Sequence, residues 1–545
     1  MQMNNTEREL LKDYCRAIIH MREQIKLERF GLVFGAGISC QFGFPTWKNL
    51  ITQLAQHDKI NGNDIVGISD NTTNISQMLY QKLKTQITTT REDSEYDRKT
   101  SIYKREWLKI IHDELYKNVP EEIEELQKKD KYIKDYIPII KKTKLTLNYN
   151  FDNTIELLLG AERSESETRE TRGYRTVWDS GIQLYPQHGV IYHPNGFIPR
   201  GFRERPSDDI VFLEDSFGDQ LLDSIAGHYN ALSNFYAQNT CLLIGLSLED
   251  ATLKHILRQN ARIHPGHIHY YVHYLDDKNK LTKEQKEHIV SSNFEIYNLI
   301  TLFLTEKEIS ILGKLINPNN QIGSMIDQLG LNDVYRFYLT GSVCVGKSTA
   351  VSQFRSLKTH DEWLERKVEG MEKDPTKVSD EDKIKEIDIW VANQWRDKNY
   401  ILSKLESGIH IVDRAPLDAF AFTPETEWVA KAKLTKEIIT PEQSTTKLCK
   451  GKIILLIGDP NEMSVRALRL QKDVSVRSLG MRQKLLKIVY PDKNNNDVVE
   501  LDTRSKSRER VVKEICKIIH LDEYKECDMQ DILEKIESEH IKPTN

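Results

Sequence analysis

Short apolar segments that end in glycine or polar residues recur along this chain, and helical patterns separate them. The segments are GLVFGAG from residue 31, KLTLNY from residue 144, TCLLIGLS from residue 240, RFYLTG from residue 336, GIHIVDR from residue 408 and GKIILLIGDP from residue 451. We expect a further buried strand in GHIHYYVHYL from residue 266. Buried strands that alternate with helices are typical of a parallel sheet with helices on its faces. The sequence therefore predicts an α/β fold.

A cluster of Pro, Asn and Gly residues between positions 315 and 335 separates two such α/β patterns. Residues of these types favour turns over helices and strands, so the cluster marks a domain boundary. We expect two α/β domains joined by a linker and followed by a C-terminal tail, with bounds at 1–310, 311–334, 335–525 and 526–545.

The composition argues against several classes of protein. The 545 residues are 39% hydrophobic and 29% charged, with a formal net charge of −5, so direct nucleic-acid binding or attraction to an anionic membrane is not expected. No apolar stretch has the length of a membrane span, and the charged start lacks the apolar core of a secretory signal, which predicts a cytoplasmic protein. The seven cysteines are scattered without a CxxC pair, so neither a disulfide framework nor a four-cysteine zinc site is expected.

The most specific motif in the chain is GSVCVGKST, which begins at Gly341 and fits the pattern G-x-x-x-x-G-K-[ST]. It follows an apolar strand and precedes a helical pattern, which is the context that this phosphate-binding loop requires. The pattern predicts that phosphate binds to the backbone of residues 341–346 and to Thr349. Lys347 would contact the β/γ-phosphates, and the Ser348 hydroxyl would bind Mg²⁺. The alternative is a glycine-rich turn between strand and helix. We expect ATP or another nucleoside triphosphate with Mg²⁺ to bind here.

Charged residues follow two later strands of the second half. Asp413 and Arg414 end one strand, where α/β proteins bind ligands, and Arg466 and Arg469 follow another. This order resembles the P-loop deoxynucleoside and nucleoside-monophosphate kinases over residues 335–520. The resemblance implies that the Asp-Arg pair handles the hydroxyl or phosphate of an acceptor, and that the two later arginines clamp the triphosphate. A plain salt bridge at the strand end is the alternative for the Asp-Arg pair.

Small and polar residues also follow the apolar segments of the first half. Tiny residues after a strand indicate that a backbone comes close to another strand or to a ligand. The candidates are Gly35, Ala36, Gly37, Ser39, Asn150, Asp152, His193, Gly245, Ser247 and Asp250, together with the histidine-containing segment IYHPNGFIP. Their order resembles that of the sirtuin-like NAD-binding domain over residues 25–305. It is most similar to that of bacterial defence-associated sirtuins, whose Asn-Phe-Asp-type segment followed by a Glu is matched here by Asn150, Phe151, Asp152 and Glu156.

That resemblance implies a Rossmann-type parallel sheet with a helical insertion, and NAD⁺ as the substrate. The glycine turn would let backbone amides approach the pyrophosphate. Asn150 would orient water and the ribose, Asp152 would hold the geometry, and Ser247 would bond the adenosine ribose. Alternatives remain for each segment. The turn is also compatible with close packing of strand and helix, and Asn153 with Glu156 forms a capping-box pattern that can simply begin a helix.

The position of the catalytic histidine stays open in the sequence. In sirtuin-like proteins the residue immediately before the glycine is usually the catalytic histidine, but here Asn195 precedes Gly196. His193 lies two positions earlier and is the preferred candidate, with His188 of a nearby His-Gly pair in reserve. A histidine of this kind would bond or deprotonate a ribose hydroxyl. An Asn-Gly hairpin is the alternative for this segment.

Sirtuin deacylases carry a zinc ribbon of paired CxxC motifs, which this chain lacks, so water is the simplest acceptor. The resemblance therefore implies NAD⁺ hydrolysis to nicotinamide and ADP-ribose, and we expect the protein to be an antiphage defence effector. Its second domain would sense or phosphorylate a (deoxy)nucleoside or nucleotide, and a homo-oligomer and a phage-derived trigger are further expectations.

One alternative for the whole protein is a metabolic nucleoside or nucleotide kinase with a regulatory domain that binds NAD⁺ or ADP-ribose. Another is a nucleotide-switched scaffold without activity.

Overall fold

Two compact units make up the chain in the computed structural model, and each is described by itself. The first comprises residues 1–14, 21–263 and 268–322, and the second comprises residues 15–20, 264–267 and 323–545. The described residues are 4–89, 96–161, 174–178, 189–201, 206–207, 210–225, 230–276, 280–367, 381–440, 447–472, 474–491 and 495–538.

A parallel sheet forms the centre of the first unit. Within the described residues it has seven strands: β1 (Phe30–Phe34), β2 (Leu145–Asn148), β3 (Tyr174–Val177), β4 (Gly189–Tyr192), β5 (Thr240–Ile244), β6 (His269–Tyr274) and β7 (Leu299–Leu304). Their order across the sheet is β3-β4-β2-β1-β5-β6-β7. The order reverses at β1, because β2 to β4 lie on one side of it and β5 to β7 on the other.

Helices connect and surround these strands, and several begin at the capping residues that such sequences favour. Thr46 caps one helix through the amide of Asn49, and Thr282 begins another with a capping box. The helices in chain order are α1 (Asn5–Lys26), α2 (Trp47–Gln56), α3 (Thr72–Thr89), α4 (Tyr96–Tyr116), α5 (Ile123–Lys129), α6 (Ile133–Ile140), α7 (Thr154–Ala161), α8 (Glu214–Ile225), α9 (Asn230–Gln238), α10 (Ala251–Ile263), α11 (Lys283–Tyr297) and α12 (Glu306–Ile316).

The central strands are buried on both faces, which explains their continuous apolar sequences. Every residue of β1, β2 and β5 is buried. Phe34 at the end of β1 pairs with Asn148 of β2 on one side and with Ile244 of β5 on the other. The three strands therefore end at one level, and the segments that follow them emerge side by side.

The second unit has its own parallel sheet. Its strands in the described part of the chain are β8 (Val334–Gly341), β9 (Lys358–His360), β10 (Gly408–Asp413), β11 (Lys452–Ile457) and β12 (Val498–Asp502), in the order β12-β11-β8-β10-β9. The order again reverses at the first strand of the unit. The accompanying helices are α13 (Gly323–Gln328), α14 (Lys347–Val351), α15 (Glu381–Ser403), α16 (Trp428–Ile439), α17 (Pro460–Arg469), α18 (Val476–Val489), α19 (Arg508–His520) and α20 (Met529–Glu537).

The expected α/β fold with parallel sheets is confirmed, and the quoted apolar segments coincide with β1, β2, β5, β6, β8, β10 and β11. The sequence did not predict β3, β4, β7, β9 and β12. The edge strands β9 and β12 are partly exposed and lack a continuous apolar run, and β7 follows a helix directly after one left-handed residue, Asn298. None of the described helices has both the length and the apolar composition needed to cross a membrane.

The end of β5 approaches the turn after β1 so closely that only glycine fits. Gly245 has a φ of 74°, in the left-handed region that favours glycine. A Cβ atom on Gly245 would lie 2.7 Å from the backbone nitrogen of Ile38 and 3.0 Å from the Gly35 carbonyl oxygen. These neighbours are backbone atoms, which cannot move aside as a flexible side chain can.

We expect Gly245→Ala to destabilise the protein more than Gly67→Ala. Both glycines have left-handed φ values, but an added Cβ on Gly67 meets no heavy atom within 4 Å. The difference between the two variants in free energy of unfolding therefore measures the cost of the steric clash at Gly245. Overpacking of this kind costs about 1–3 kcal/mol. Urea unfolding followed by tryptophan fluorescence gives the two values. Equal losses of stability would contradict the close approach of β5 to the turn.

Candidate active site

The glycine turn after β1 packs against the end of β5. The Gly35 amide donates to the Ile244 carbonyl at 3.0 Å, and the Gly37 amide donates to the Gly245 carbonyl at 2.9 Å. A Cβ on Gly35 would lie 2.6 Å from the Gly245 carbonyl oxygen. The contact that requires glycine at this turn is thus with another strand end, while Ala36 and Gly37 remain exposed to solvent.

Asn150 lies just beyond β2 and is held by its amide nitrogen. Its Nδ2 donates to the Gly35 carbonyl oxygen and to Ser39 Oγ, both at 3.0 Å. A carbonyl oxygen can only accept, so the contact with Gly35 fixes which way the amide points. Asn150 is buried, and its Oδ1 has no hydrogen-bond partner among the described residues. This oxygen is therefore a fixed acceptor for an O–H or N–H group of a ligand.

Asp152 holds Ser39 in place. Ser39 Oγ donates to Asp152 Oδ2 at 2.8 Å, and the Thr154 amide at the start of α7 donates to Asp152 Oδ1 at 3.0 Å. Burial raises the pKa of Asp152, and the hydrogen bonds from Thr154 and Ser39 only partly oppose that shift. Asn150, Ser39 and Asp152 thus form one connected set.

His193 follows β4 and is completely buried. Its Nδ1 lies 2.7 Å from the Asn150 carbonyl oxygen, and its Nε2 lies 2.9 Å from Glu156 Oε1. Burial alone would lower the pKa of His193, but the charge and hydrogen bond of Glu156, together with the Asn150 carbonyl and the Asp152 charge, outweigh burial and the net shift is upward. Both ring nitrogens therefore face acceptors within the protein, and neither is open to a substrate in this arrangement. His188 lies outside the described residues.

Asn195 and Asp250 contact each other near the start of α10. Gln220 Nε2 donates to Asn195 Oδ1 at 3.3 Å, and the Leu253 amide donates to Asp250 Oδ1 at 2.7 Å. Burial raises the pKa of Asp250, and hydrogen bonds from the Leu253 amide and the Asn195 side chain oppose the shift. Asp250 thus serves as a helix cap. Ser247, the other predicted residue after β5, is exposed.

Glu156 also belongs to this site, whereas its sequence pattern indicated only a match to the sirtuin-like segment or a capping box. It is buried in α7, whose sequence TIELLLGA is otherwise mostly apolar, and it accepts from Thr176 at 3.3 Å as well as facing His193. A carboxylate within an apolar helix indicates a buried polar contact, since such a group is rarely buried without a partner. Its partner His193, however, lies in the segment after β4, and this contact cannot be predicted from the sequence.

The glycine-rich loop of the second unit follows β8. Gly341 and Gly346 have φ values of 145° and 109°, and Cys344 also lies in the left-handed region with a φ of 63°. Lys347 is buried and donates through Nζ to the carbonyl oxygens of Gly341 at 2.7 Å and Ser342 at 3.0 Å. Burial, assisted by the Arg414 guanidinium, lowers the pKa of Lys347 to about 8. The lysine thus folds back over its own loop.

Ser348 at the start of α14 contacts the end of β10. Its Oγ donates to Asp413 Oδ2 at 2.6 Å, while Asp413 Oδ1 is buried and has no hydrogen-bond partner among the described residues. Thr349 beside it is exposed. The structure thus brings together Ser348 and Asp413, which the sequence placed in separate motifs.

Arg414 lies beside Asp413 with a left-handed φ of 70°. Its Nε donates to Glu362 Oε1 at 2.6 Å, and its guanidinium lies 5.9 Å from the centre of the Trp363 ring. Burial opposes ionisation of Glu362, but Arg414, with the charges of Lys367 and Lys347, outweighs burial and holds the pKa of Glu362 at about 2. A strained backbone is often found where a side chain must be aimed at a site. Glu362 was not predicted from the sequence.

A cavity of about 930 Å³ lies beside the glycine-rich loop within the second unit. Lys347, Ser348, Thr349 and Arg414 line it, and so do Arg466 and Arg469. Among its described lining residues, ten are Lys or Arg and four are Asp or Glu, an excess of positive charge that fits an anionic ligand. Arg466 also pairs with Glu462 of its own helix at 3.2 Å.

The described residues contain no group of three or more His, Cys, Asp or Glu side chains arranged to hold a metal ion. An ion bound through one carboxylate, a hydroxyl and ligand phosphates needs no such group.

Comparison with known proteins adds one finding. The family model of the SIR2-like domain matches residues 144–297, a stretch that includes Asn150, Asp152, His193 and Asp250. SIR2-like domains bind NAD⁺, so the match indicates an NAD-related enzymatic function. The search of curated proteins found no match.

We expect the stabilising contribution of His193 to fade as pH rises. Its pKa is raised in the folded protein, so this contribution is fully present below the ordinary histidine pKa of about 6.5 and is lost as pH rises through the higher folded value. The free energy of unfolding of the unmodified protein minus that of His193→Gln should therefore decrease as the pH rises above about 6.5. His288→Gln, at an exposed histidine, is the matched control. A difference that grows with pH would contradict the assignment.

Proposed function

We propose that the first unit hydrolyses NAD⁺ to nicotinamide and ADP-ribose. The observation that carries this proposal is the fixed, unpartnered Oδ1 of Asn150 at the carboxyl end of β2. Ligands of open α/β sheets bind beyond the carboxyl ends of the strands where the strand order reverses, and Asn150 lies beside that point. The SIR2-like match supports NAD⁺ as the ligand.

The reaction needs a hydrogen-bond acceptor at the carboxyl end of β2. When the bond between nicotinamide and ribose breaks, the bond electrons leave with nicotinamide and positive charge develops on the ribose. Water then bonds to the ribose carbon, and its proton passes to solvent water. Asn150 Oδ1 accepts a hydrogen bond from that water or from a ribose hydroxyl and so holds the reacting groups together. Asp152 acts through Ser39 to keep the amide in the required orientation.

Water as the acceptor is supported by the cysteine pattern. The seven cysteines of the sequence contain no CxxC pair, so the zinc ribbon that accompanies sirtuin deacylases has no ligands here. We therefore favour hydrolysis over transfer to an acylated peptide.

We propose that the second unit binds ATP or another nucleoside triphosphate with Mg²⁺. The positively charged cavity and the loop with Lys347 support this proposal. The hydroxyl of Ser348 and the unpartnered Oδ1 of Asp413 are oxygen ligands of the kind that Mg²⁺ prefers, so these residues fit the ion and would hold it. Bound there, the ion neutralises phosphate charge.

In the whole protein, loss of NAD⁺ would harm the host and must be controlled. We propose an antiphage effector in which nucleotide bound to the second unit controls NAD⁺ cleavage, with a homo-oligomer and a phage-derived trigger as further parts of the hypothesis.

A metabolic nucleoside or nucleotide kinase with a regulatory NAD⁺- or ADP-ribose-binding unit is the second candidate. It is favoured by the burial of both His193 ring nitrogens and by Asn195 in place of histidine.

We expect Asn150→Ala to lower nicotinamide release by about 10²-fold or more, because an oriented hydrogen-bonding group typically contributes that much. Asn260→Ala is the matched control: it removes another buried amide of the same unit, which contacts His269 away from the site. Nicotinamide is measured by chromatography after incubation with NAD⁺. If Asn150→Ala retains the parental rate, or if the control loses as much, the proposed active site is wrong.

We expect Lys347→Ala to weaken ATP binding and to abolish the effect of nucleotide on NAD⁺ cleavage. A ligand can shift another site only through different affinities for two states, and typical coupling changes affinity about 5- to 150-fold. Nicotinamide release is measured with and without ATP in the parental protein, in Lys347→Ala and in Lys484→Ala, a control at an exposed lysine of α18. NAD⁺ cleavage that ignores nucleotide in the parental protein would contradict control by the second unit.

A further inference from the structure

We infer that Glu156 and His193 form a positioning pair that holds the backbone of Asn150, with His193 as an imidazolium rather than a general base. The inference rests on the proposed NAD⁺ hydrolysis for its effect on turnover. It assigns a role to Glu156, and it changes the role of His193 from a group that touches substrate to one that acts through Asn150.

The first step is the hydrogen-bond requirement of the His193 ring. Nδ1 lies 2.7 Å from the Asn150 carbonyl oxygen, which can only accept, so this nitrogen carries a proton. Nε2 lies 2.9 Å from a carboxylate oxygen of Glu156. A neutral imidazole has a single N–H and cannot donate to both. The two contacts together are satisfied by an imidazolium facing a carboxylate.

The second step is the surroundings of the pair. The charged groups that face the His193 ring are Glu156 and, at longer range, Asp152, and both favour a positive ring. The Phe197 ring covers the imidazole with their centres 4.7 Å apart, and Thr176 also donates to Glu156 Oε1 at 3.3 Å. His193 and Glu156 are both buried. Water therefore neither screens the pair nor replaces its bonds, and charge-assisted bonds of this kind are stronger than neutral ones.

The third step connects the pair to the amide of Asn150. Gly35 and Ser39 hold the side chain of Asn150, while the imidazolium holds its backbone carbonyl. Asn150 is thus fixed at both ends, and Oδ1 is left in one position. A displacement of about 1 Å at a reacting group can cost about 10²-fold in rate, so loss of either anchor should appear in turnover.

The test compares Glu156→Gln with the parental full-length protein. The glutamine keeps the size of the side chain but removes the charge that stabilises the imidazolium. We expect kcat for nicotinamide release to fall about 10- to 100-fold while KM stays within about twofold, since the substrate contacts are intact. Asn260→Ala is again the control, because it breaks a comparable buried contact with a histidine, His269, elsewhere in the unit.

A spectroscopic measurement tests the pair without relying on activity. Histidine labelled with ¹⁵N should show, at neutral pH, one ring with both nitrogens protonated, and this signal should be absent from both Glu156→Gln and His193→Gln. A neutral His193 ring in the parental protein would overturn the inference even if Glu156→Gln failed to fold.

The remaining outcomes separate this inference from the proposed function. If the parental protein releases nicotinamide and Asn150→Ala does not, but Glu156→Gln retains the parental kcat, the positioning role is wrong and the function stands. The positioning role is also wrong if kcat falls no further in Glu156→Gln than in Asn260→Ala. If the parental protein releases no nicotinamide, the proposed function fails and the positioning role falls with it.

Discussion

The hydrogen bonds that hold β1 between β2 and β5 set the position of every group at the candidate active site. Because Phe34 pairs with both Asn148 and Ile244, three strands end at one level. The turn that begins at Gly35 can then rest on Gly245, and Asn150 can reach the Gly35 carbonyl. A shift of register by one residue would separate these partners and reverse the faces of the strand.

Buried charges in both units follow the same physical rule. A charge removed from water is tolerated when a partner and further hydrogen bonds replace its hydration. Glu156 faces His193 and Thr176 in the first unit, and Glu362 faces Arg414 in the second. Replacing such a pair with apolar side chains of similar volume is often neutral or stabilising, so the pairs are better explained by orientation of neighbouring groups than by stability.

Much of the fold could be predicted from the sequence, because apolar runs and helical periods are local signals. The parallel α/β architecture and the strands before Gly35, Asn150 and Gly341 follow from such signals. The partners of individual side chains do not. That Gly37 bonds to Gly245, that Glu156 meets His193, or that Lys347 bonds to its own loop depends on contacts between distant or folded segments. The residue types of the site were therefore predictable, and the hydrogen bonds that define their roles were not.

The oxygen of Asn150 differs from an ordinary unpartnered atom because the amide cannot turn. Its nitrogen is committed to two acceptors, Gly35 O and Ser39 Oγ, and Ser39 is itself committed to Asp152. Rotating the amide to satisfy Oδ1 would place two oxygens against each other at Gly35, so the protein maintains the unsatisfied oxygen by its own hydrogen bonds. An acceptor kept open in this way favours a ligand that brings a hydrogen-bond donor, and water or a ribose hydroxyl is such a donor.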